Sequence, residues 1–556
     1  MFVLGVLGAL ALVVFARAFQ LQVLDREFLR SEGDKRQIRT VVIPGHRGAI
    51  LDRRGEPLAL SAPVSSIWAV PSEVLAHPDA LLPLASALGR PPSELQAHLQ
   101  ERMARKFVYL RENLSPAETQ KVLALKVPGV FSEPSYARYY PAGEVASQVV
   151  GFAGRDGVGL EGIERAEQRR LTGTPGKRRV IRDRTGRVIE DGLEFVPAAA
   201  GETLNLTLDL RVQYLAYREL KAAVAESNAK GGLIVIADAH SGEILAIAAQ
   251  PGFNPNNPNG RGDSAGVRNR AVTDSFEPGS TVKPLLVAQA LELGLYQPDS
   301  VIDVAPGFMK VGALTVRDIS KQGVIDLATV LAKSSNVGTA KMGLAMGAEN
   351  VWAGYQRFGL GDPVFSGFPG EAAPVLRHYT DWGQIATATA SYGYGLSVSA
   401  LHLLRAYAGL ANDGLMPQLS LVQGGISPPP QRAVSATTAR SVRKLLEAAV
   451  APGGSGNRAA IEGYRVSGKS GTVRKVAAAG GYDTDRHQAV FIGMVPVDQP
   501  QLVGMVMIDE PQGAYYGGQV AAPVFGRVMQ GAARLLQIPP DLAPPLTQTA
   551  ALGEAP

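Results

Sequence analysis

The chain has 556 residues, 46% of them hydrophobic and 19% charged, with a formal net charge of +5. That length predicts two to four domains with ample core, and the composition excludes a wholly disordered chain. The chain has no cysteine, which excludes disulfides, thiolate metal sites and cysteine nucleophiles, and its seven histidines show no metal-binding spacing, so neither a metal nor a cofactor is expected.

The first element is "FVLGVLGALALVVFA", an uncharged run continuing past Arg17 into "AFQLQVL". Ala16-Arg17-Ala18 resembles a signal-peptidase site, but no basic residues precede the run and its helical period continues beyond Arg17. We read residues 1–24 as one uncleaved transmembrane anchor, with Arg17 snorkelling to the interface. Next, "HRGAILDRRGEPLALS" alternates around an Arg-Gly turn and predicts a hairpin. A helical, polar insert follows from Pro71 to Leu125, with a capping-box start at Ser115 and Glu118. Extended segments are expected again at 138–145 and 159–164, then a second Asp-Arg-x-Gly turn at 182–190. The Arg-rich stretch 176–184 reads as a solvated hairpin, with no nucleic-acid partner expected. Residues 25–200 together form a non-catalytic, β-rich pedestal of dimerisation type.

A different texture begins near Leu204, where "LTLDLRVQYLAYRELKAAVAES" predicts a strand and then an amphipathic helix. "GGLIVIADAHSGEILAIAAQP" is a hairpin turning at His240-Ser241-Gly242. Helical patterns fill the middle, and strands return at "YRVSGKSGTVRKV", "HQAVFIGMVPV" and "PQLVGMVMIDEP". Strands at both ends with helices between them predict an α+β domain over 201–540, one mainly antiparallel sheet with a helical lobe. The Pro/Ala-rich tail 541–556 is expected to be disordered.

The chemistry is sought in "EPGSTVKPLL". Ser-x-x-Lys occurs three times, at Ser227–Lys230, Ser280–Lys283 and Ser441–Lys444. Ser227 ends a helix, and Ser441 with Lys444 sits mid-helix on a solvated face. Ser280 instead follows a Pro278-Gly279 turn at a helix start. Residues i and i+3 share a helix face, so the Lys283 amine can reach the Ser280 hydroxyl, and the helix N-terminus favours the developing alkoxide. A lysine is a base only when neutral. Moving its pKa from about 10.4 to about 7 takes roughly 4–5 kcal/mol, which burial and a second cation such as Lys469 can supply. Taken alone, Ser280 and Lys283 are equally a helix start with a solvated lysine.

Ser-x-Asn occurs twice, at Ser334–Asn336 and Ser455–Asn457, whereas Lys469-Ser470-Gly471-Thr472 is unique. Alternation puts Lys469 and Gly471 on one side of a strand, with Ser470 and Thr472 on the other. Gly471 suits close approach of another backbone, and the strand edge can supply an oxyanion-hole N–H. The Ser470 and Thr472 hydroxyls, with Arg474, suit a carboxylate; Asn336 fits an amide.

In this order the three motifs resemble the active-site set of the penicillin-binding proteins and serine β-lactamases. "RGAILDRRGEPLA", "RYYPAGEV", "FEPGSTVKP", "KSSNVG", "SYGYGLSV", "GKSGTVRK" and "YYGG" extend the resemblance over nearly the whole chain. They point to the class B, division-specific branch, of penicillin-binding protein 3 type. The resemblance implies a septal peptidoglycan D,D-transpeptidase. A D-Ala-D-Ala stem peptide would acylate Ser280, an amine on a neighbouring stem would resolve the ester, and β-lactams would inhibit. Lys283 would accept the proton, Ser334 relay it, Lys469 tune both, and the N–H groups of Ser280 and Thr472 form the oxyanion hole. Tyr394, Tyr515 and Tyr516 resemble cleft-lining aromatics. Partners would be a membrane polymerising glycosyltransferase and other division proteins, at a bacterial inner membrane with the catalytic domain in the periplasm.

Rivals remain in view. A β-lactamase of class A type needs Glu-x-x-x-Asn between the second and third motifs, and none is present. A bifunctional enzyme needs a glycosyltransferase signature in residues 20–200, also absent. An elongation-type transpeptidase and a non-enzymatic penicillin sensor or scaffold are the other readings.

Overall fold

The apolar start of the chain forms helix α1 (Phe2–Phe19), continued by a π-helical turn over Gln20–Leu24. Residues Gly5–Leu24 are long and apolar enough to cross a membrane, and Arg17 donates to Gln20 Oε1 at 2.8 Å. The computed structural model describes residues 2–27, 38–43, 45–182, 188–257, 264–425, 428–477 and 480–542. They divide into two units, each built from separated segments. The first holds Met1–Gly48, Ser61–Ala137 and Arg169–Glu202; the second holds Ala49–Leu60, Arg138–Gln168 and Thr203–Pro556.

In the first unit, strands Ile38–Ile43, Gly176–Arg182 and Val188–Val196 form an antiparallel sheet. The turn at 183–187 lies outside the described residues. The expected helical insert is real but interrupted: helices Leu81–Leu88, Pro92–Gln100 and Pro116–Ala124 flank a strand, Val108–Leu114, that pairs with residues 65–69. Val108 and Leu110 turn inward on either side of the exposed Tyr109, and Leu114 is buried again at the strand's end, a pattern hidden within a polar stretch. Ile67, Leu84, Leu88, Leu95, Leu99 and Val122 form the core. Ser115 caps its helix reciprocally with Glu118, as the capping-box pattern predicts.

In the second unit, Ile50 and Leu51 pair antiparallel with Ala59 and Pro57 around a turn held by Asp52 Oδ1, which accepts from the Arg54 and Glu56 N–H groups. Two extended expectations fail here. The strand Val130–Tyr139 gives way to a 3-10 turn over Gly143–Val145, and Gly162–Ala166 is helical. Gly143 and Gly162 have φ of +53° and +61°, conformations that end an extended run.

The sheet of this unit comprises β1 (Gly231–Asp238), β2 (Ile244–Gln250), β3 (Ser467–Val476), β4 (Tyr482–Val495) and β5 (Leu502–Asp509). Its order is β2-β1-β5-β4-β3, antiparallel throughout, as an α+β reading requires. Helix α2 (Leu210–Glu226) starts at Asp209, whose carboxylate accepts from Arg211 N, and buries Val212, Ala216, Leu220 and Ala223 at helical spacing. With α5 (Gly517–Leu535) it covers one face; Phe525 packs on Phe491 of β4 at 4.8 Å between ring centroids. Helix Ala400–Ala411 packs against β1, β4 and β5. The helical lobe contributes α3 (Lys283–Glu292) and α4 (Asn336–Met346). Of the tail, Asp541 accepts from Arg465 N and Leu542 N donates to Gly463 O; residues 543–556 lie outside the described residues.

Candidate active site

The edge strand β3 and the turn before α3 meet because two side chains are missing. A Cβ on Gly471 would stand 2.9 Å from Thr281 Cγ2, and one on Gly279, whose φ is +54°, would stand 2.7 Å from Val473 Cγ2. Glycine at both positions lets the Pro278–Thr281 turn lie against the strand. Gly279 N donates to Gly393 O, and the buried Tyr407 hydroxyl donates to Thr281 O at 2.8 Å, holding the turn from behind. A 3-10 turn over Gly279–Val282 leads into α3, with Pro284 in its first turn.

That turn presents Ser280, half-buried, to a cleft of about 260 Å³. Ser334, Asn336, Tyr394, Ser470, Thr472 and Tyr516 also line it. Among the described residues the Ser280 hydroxyl has no hydrogen-bond partner. Lys283 is fully buried. Its Nζ lies 2.6 Å from Ser334 O, 2.7 Å from Asn336 Oδ1 and 3.2 Å from Ser334 Oγ. The expected contact between Lys283 and Ser280 is therefore not made: the amine is held by the second motif. Asn336 differs too from the amide-holding expectation, because its Nδ2 donates to Arg317 O at 2.9 Å and its Oδ1 faces Lys283. Ser334 adopts φ +59°, a conformation costing a non-glycine residue about 1 kcal/mol or more.

Lys469 is also fully buried, with Nζ donating to Ser470 O at 3.0 Å, and burial pushes its pKa down to about 7. Lys283 is lowered well below the ordinary lysine value, first by burial and then by the charge of Lys469, with Asp318 opposing. Burial and a nearby cation each disfavour the ammonium, and they outweigh the carboxylate. A neutral Lys283 amine keeps two hydrogens for Ser334 O and Asn336 Oδ1, leaving its lone pair for a hydroxyl proton.

Along β3, Ser470 and Thr472 line the cleft. Ser470 Oγ donates to Ser455 Oγ at 3.0 Å, and Thr472 Oγ1 accepts from Gly517 N, so its own proton is available to an anion. Arg474 lies exposed beyond Thr472 and outside the lining. Tyr515 stacks between His487, at 4.3 Å, and Tyr516, at 4.6 Å; only Tyr516 of the pair reaches the cleft. Sequence reading missed Ser455 as a cleft residue, and Asp318, whose carboxylate accepts from the N–H groups of Asn336 and Val337. The lone Ser-x-Asn repeat at Ser455 was the only signal for the first; nothing local pointed to the second. A wider groove of about 790 Å³, lined by Val145, Leu210, Tyr214 and Leu215 among others, has no serine, threonine, lysine or histidine in its lining.

Residues 232–530 match the family described as the penicillin binding protein transpeptidase domain, and 42–206 match the penicillin-binding protein dimerisation domain. The chain is 41% identical over 532 residues to the probable peptidoglycan D,D-transpeptidase PbpC of Pseudomonas aeruginosa, covering 96% of this chain and 94% of that one. It is 40% identical over 542 residues to the peptidoglycan D,D-transpeptidase FtsI of Escherichia coli, covering 96% and 91%. Penicillin binding protein 3 from Mycobacterium tuberculosis, complexed with aztreonam, superposes with a TM-score of 0.71 at 28% identity, covering 91% of this chain and 99% of that one.

Proposed function

This chain belongs to the class B penicillin-binding proteins, serine-type peptidoglycan D,D-transpeptidases, and on that premise we propose that Ser280 carries the acyl group in cross-linking at the division septum. The observation that supports it is the fully buried Lys283, stripped of any carboxylate partner and placed one turn from a hydroxyl exposed to the cleft. Substrate entry draws the Ser280 hydroxyl onto the Lys283 lone pair, a contact that commonly tightens only in the loaded enzyme. Ser280 Oγ then attacks the carbonyl of the penultimate D-Ala while Lys283 takes its proton. The N–H groups of Ser280 and Thr472 hold the oxyanion. The peptide C–N bond breaks, and the terminal D-Ala leaves as an amine protonated from Lys283 through Ser334. A neighbouring stem's amine next attacks the ester carbonyl, the C–O bond breaks, and the proton it loses returns to Ser280.

Ser470 and Thr472 bind the donor's carboxylate, Lys469 supplies positive potential, and Tyr394 and Tyr516 wall the cleft; Tyr515 backs Tyr516, and Arg474 adds charge at the rim. Helix α1 anchors the chain once in the inner membrane, with the transpeptidase domain on the periplasmic side. The domains run 1–24, 25–200, 201–540 and 541–556, and the anchor and pedestal meet a membrane polymerising glycosyltransferase and other division proteins. Intact mass and peptide mapping after incubation with penicillin test the acyl-enzyme. A stable adduct on Ser280, lost in Ser280→Ala, is expected; rapid turnover of the adduct, or cross-linking by Ser280→Ala, refutes the assignment. Depletion should give filaments, whereas rounded cells would assign the chain to elongation.

A further inference from the structure

A two-stranded hairpin, Phe308–Val311 with Leu314–Arg317, ends at Asp318, whose own N–H donates to Gly307 O at 2.9 Å. Asp318 Oδ1 accepts from the N–H groups of Asn336 at 2.6 Å and Val337 at 2.9 Å, the first two residues of α4. Its Oδ2 accepts from the Ser335 hydroxyl at 2.6 Å, while Ser335 Oγ takes the Gly338 N–H. A single capping side chain satisfies a helix start, as Asp326 does for the helix Leu327–Ala332. The carboxylate does more, because it arrives with Arg317. Asn336 N is bound to Asp318 and Asn336 Nδ2 to Arg317 O, so its remaining polar atom, Oδ1, has one direction left, toward Lys283. Ser334, two residues back in its left-handed conformation, is pinned by the same turn and puts its carbonyl and hydroxyl on the same amine.

We propose that Asp318 is a positioning residue for acyl transfer: its carboxylate locks the Ser334–Asn336 turn so that three oxygens converge on the Lys283 amine. This rests on the reading of Ser280 and Lys283 as nucleophile and base. The charge has a second effect. The charged groups acting on Lys283 are Lys469, which favours the neutral amine, and Asp318, which favours the ammonium. Removing the carboxylate therefore lets Lys283 lose its proton at lower pH.

The test is the second-order rate of acylation by a fluorescent penicillin, measured against pH for the full chain and for Asp318→Asn, Asp318→Glu and Asp326→Asn. Asp326 caps the preceding helix, Leu327–Ala332, accepting from Thr329 N without acting on Lys283, and serves as a control for mere capping. For Asp318→Asn we expect a plateau at least tenfold lower and an acid limb displaced to lower pH. Asp318→Glu should keep the limb in place and recover part of the plateau, and Asp326→Asn should leave limb and plateau unchanged. An Asp318→Asn profile superposing on wild type, or a lower plateau with an unshifted limb, overturns the proposal and leaves Asp318 a structural cap. Failure of the wild type to form an adduct on Ser280 instead overturns the acyl-transfer reading on which it rests.

Discussion

Replacing Lys469 by methionine should make the protein more stable and disable it. The side chain is fully buried and its pKa is pushed from 10.5 to about 7 by burial. At 1.36 kcal/mol per pH unit that gap corresponds to about 5 kcal/mol. Because the folded-state value lies below the unfolded one, the unfolded chain binds more protons between pH 7 and 10.5. Wild-type stability from this group therefore rises with pH across that window, and the full penalty is present below pH 7. Methionine has similar volume and no charge, so the variant should be more stable by about 2–5 kcal/mol at pH 6, the loss of the Ser470 O contact taking back part of the gain. Loss of the neighbouring charge also lets Lys283 keep its proton to higher pH, so penicillin acylation at neutral pH should fall at least a hundredfold. Denaturant unfolding of both proteins from pH 6 to 10 gives the difference curve, in which titrating groups other than Lys469 and its neighbour Lys283 cancel. A difference that is zero or flat across the window would refute the claim that this ammonium is desolvated.

Gly471→Ala puts a methyl group 2.9 Å from Thr281 Cγ2, and the turn carrying Ser280 must give way; acylation should slow tenfold or more with a stability loss of about 1–3 kcal/mol, read by penicillin labelling and thermal melting. Glu164→Gln removes the carboxylate 2.7 Å from Arg138, a pair whose side chains are 0% and 7% exposed. A loss on the order of 3 kcal/mol is expected in urea unfolding. Ser115→Ala deletes the capping box of Pro116–Ala124 and should cost about 1 kcal/mol while leaving acylation unchanged, since Ser115 belongs to the first unit.

What residues in one window can settle, the chain order settled. The hairpin at His240–Gly242, the amphipathic face of α2, the Ser115 cap and the late strands depend on neighbours a few positions apart, and each forms where its pattern stands. Where a glycine takes a left-handed conformation, at 143 and 162, alternation misled, because backbone conformation at glycine is not written in hydrophobicity. The site divides in the same way. Ser280 and Lys283 are three residues apart, so their shared helix start was legible. The oxygens that Lys283 meets are 51 and 53 residues away, and the carboxylate behind them comes from a separate hairpin. A lysine becomes a base through the removal of water and the approach of a second cation, and both arise only when distant segments pack. Nothing between Ser280 and Lys283 encodes either one.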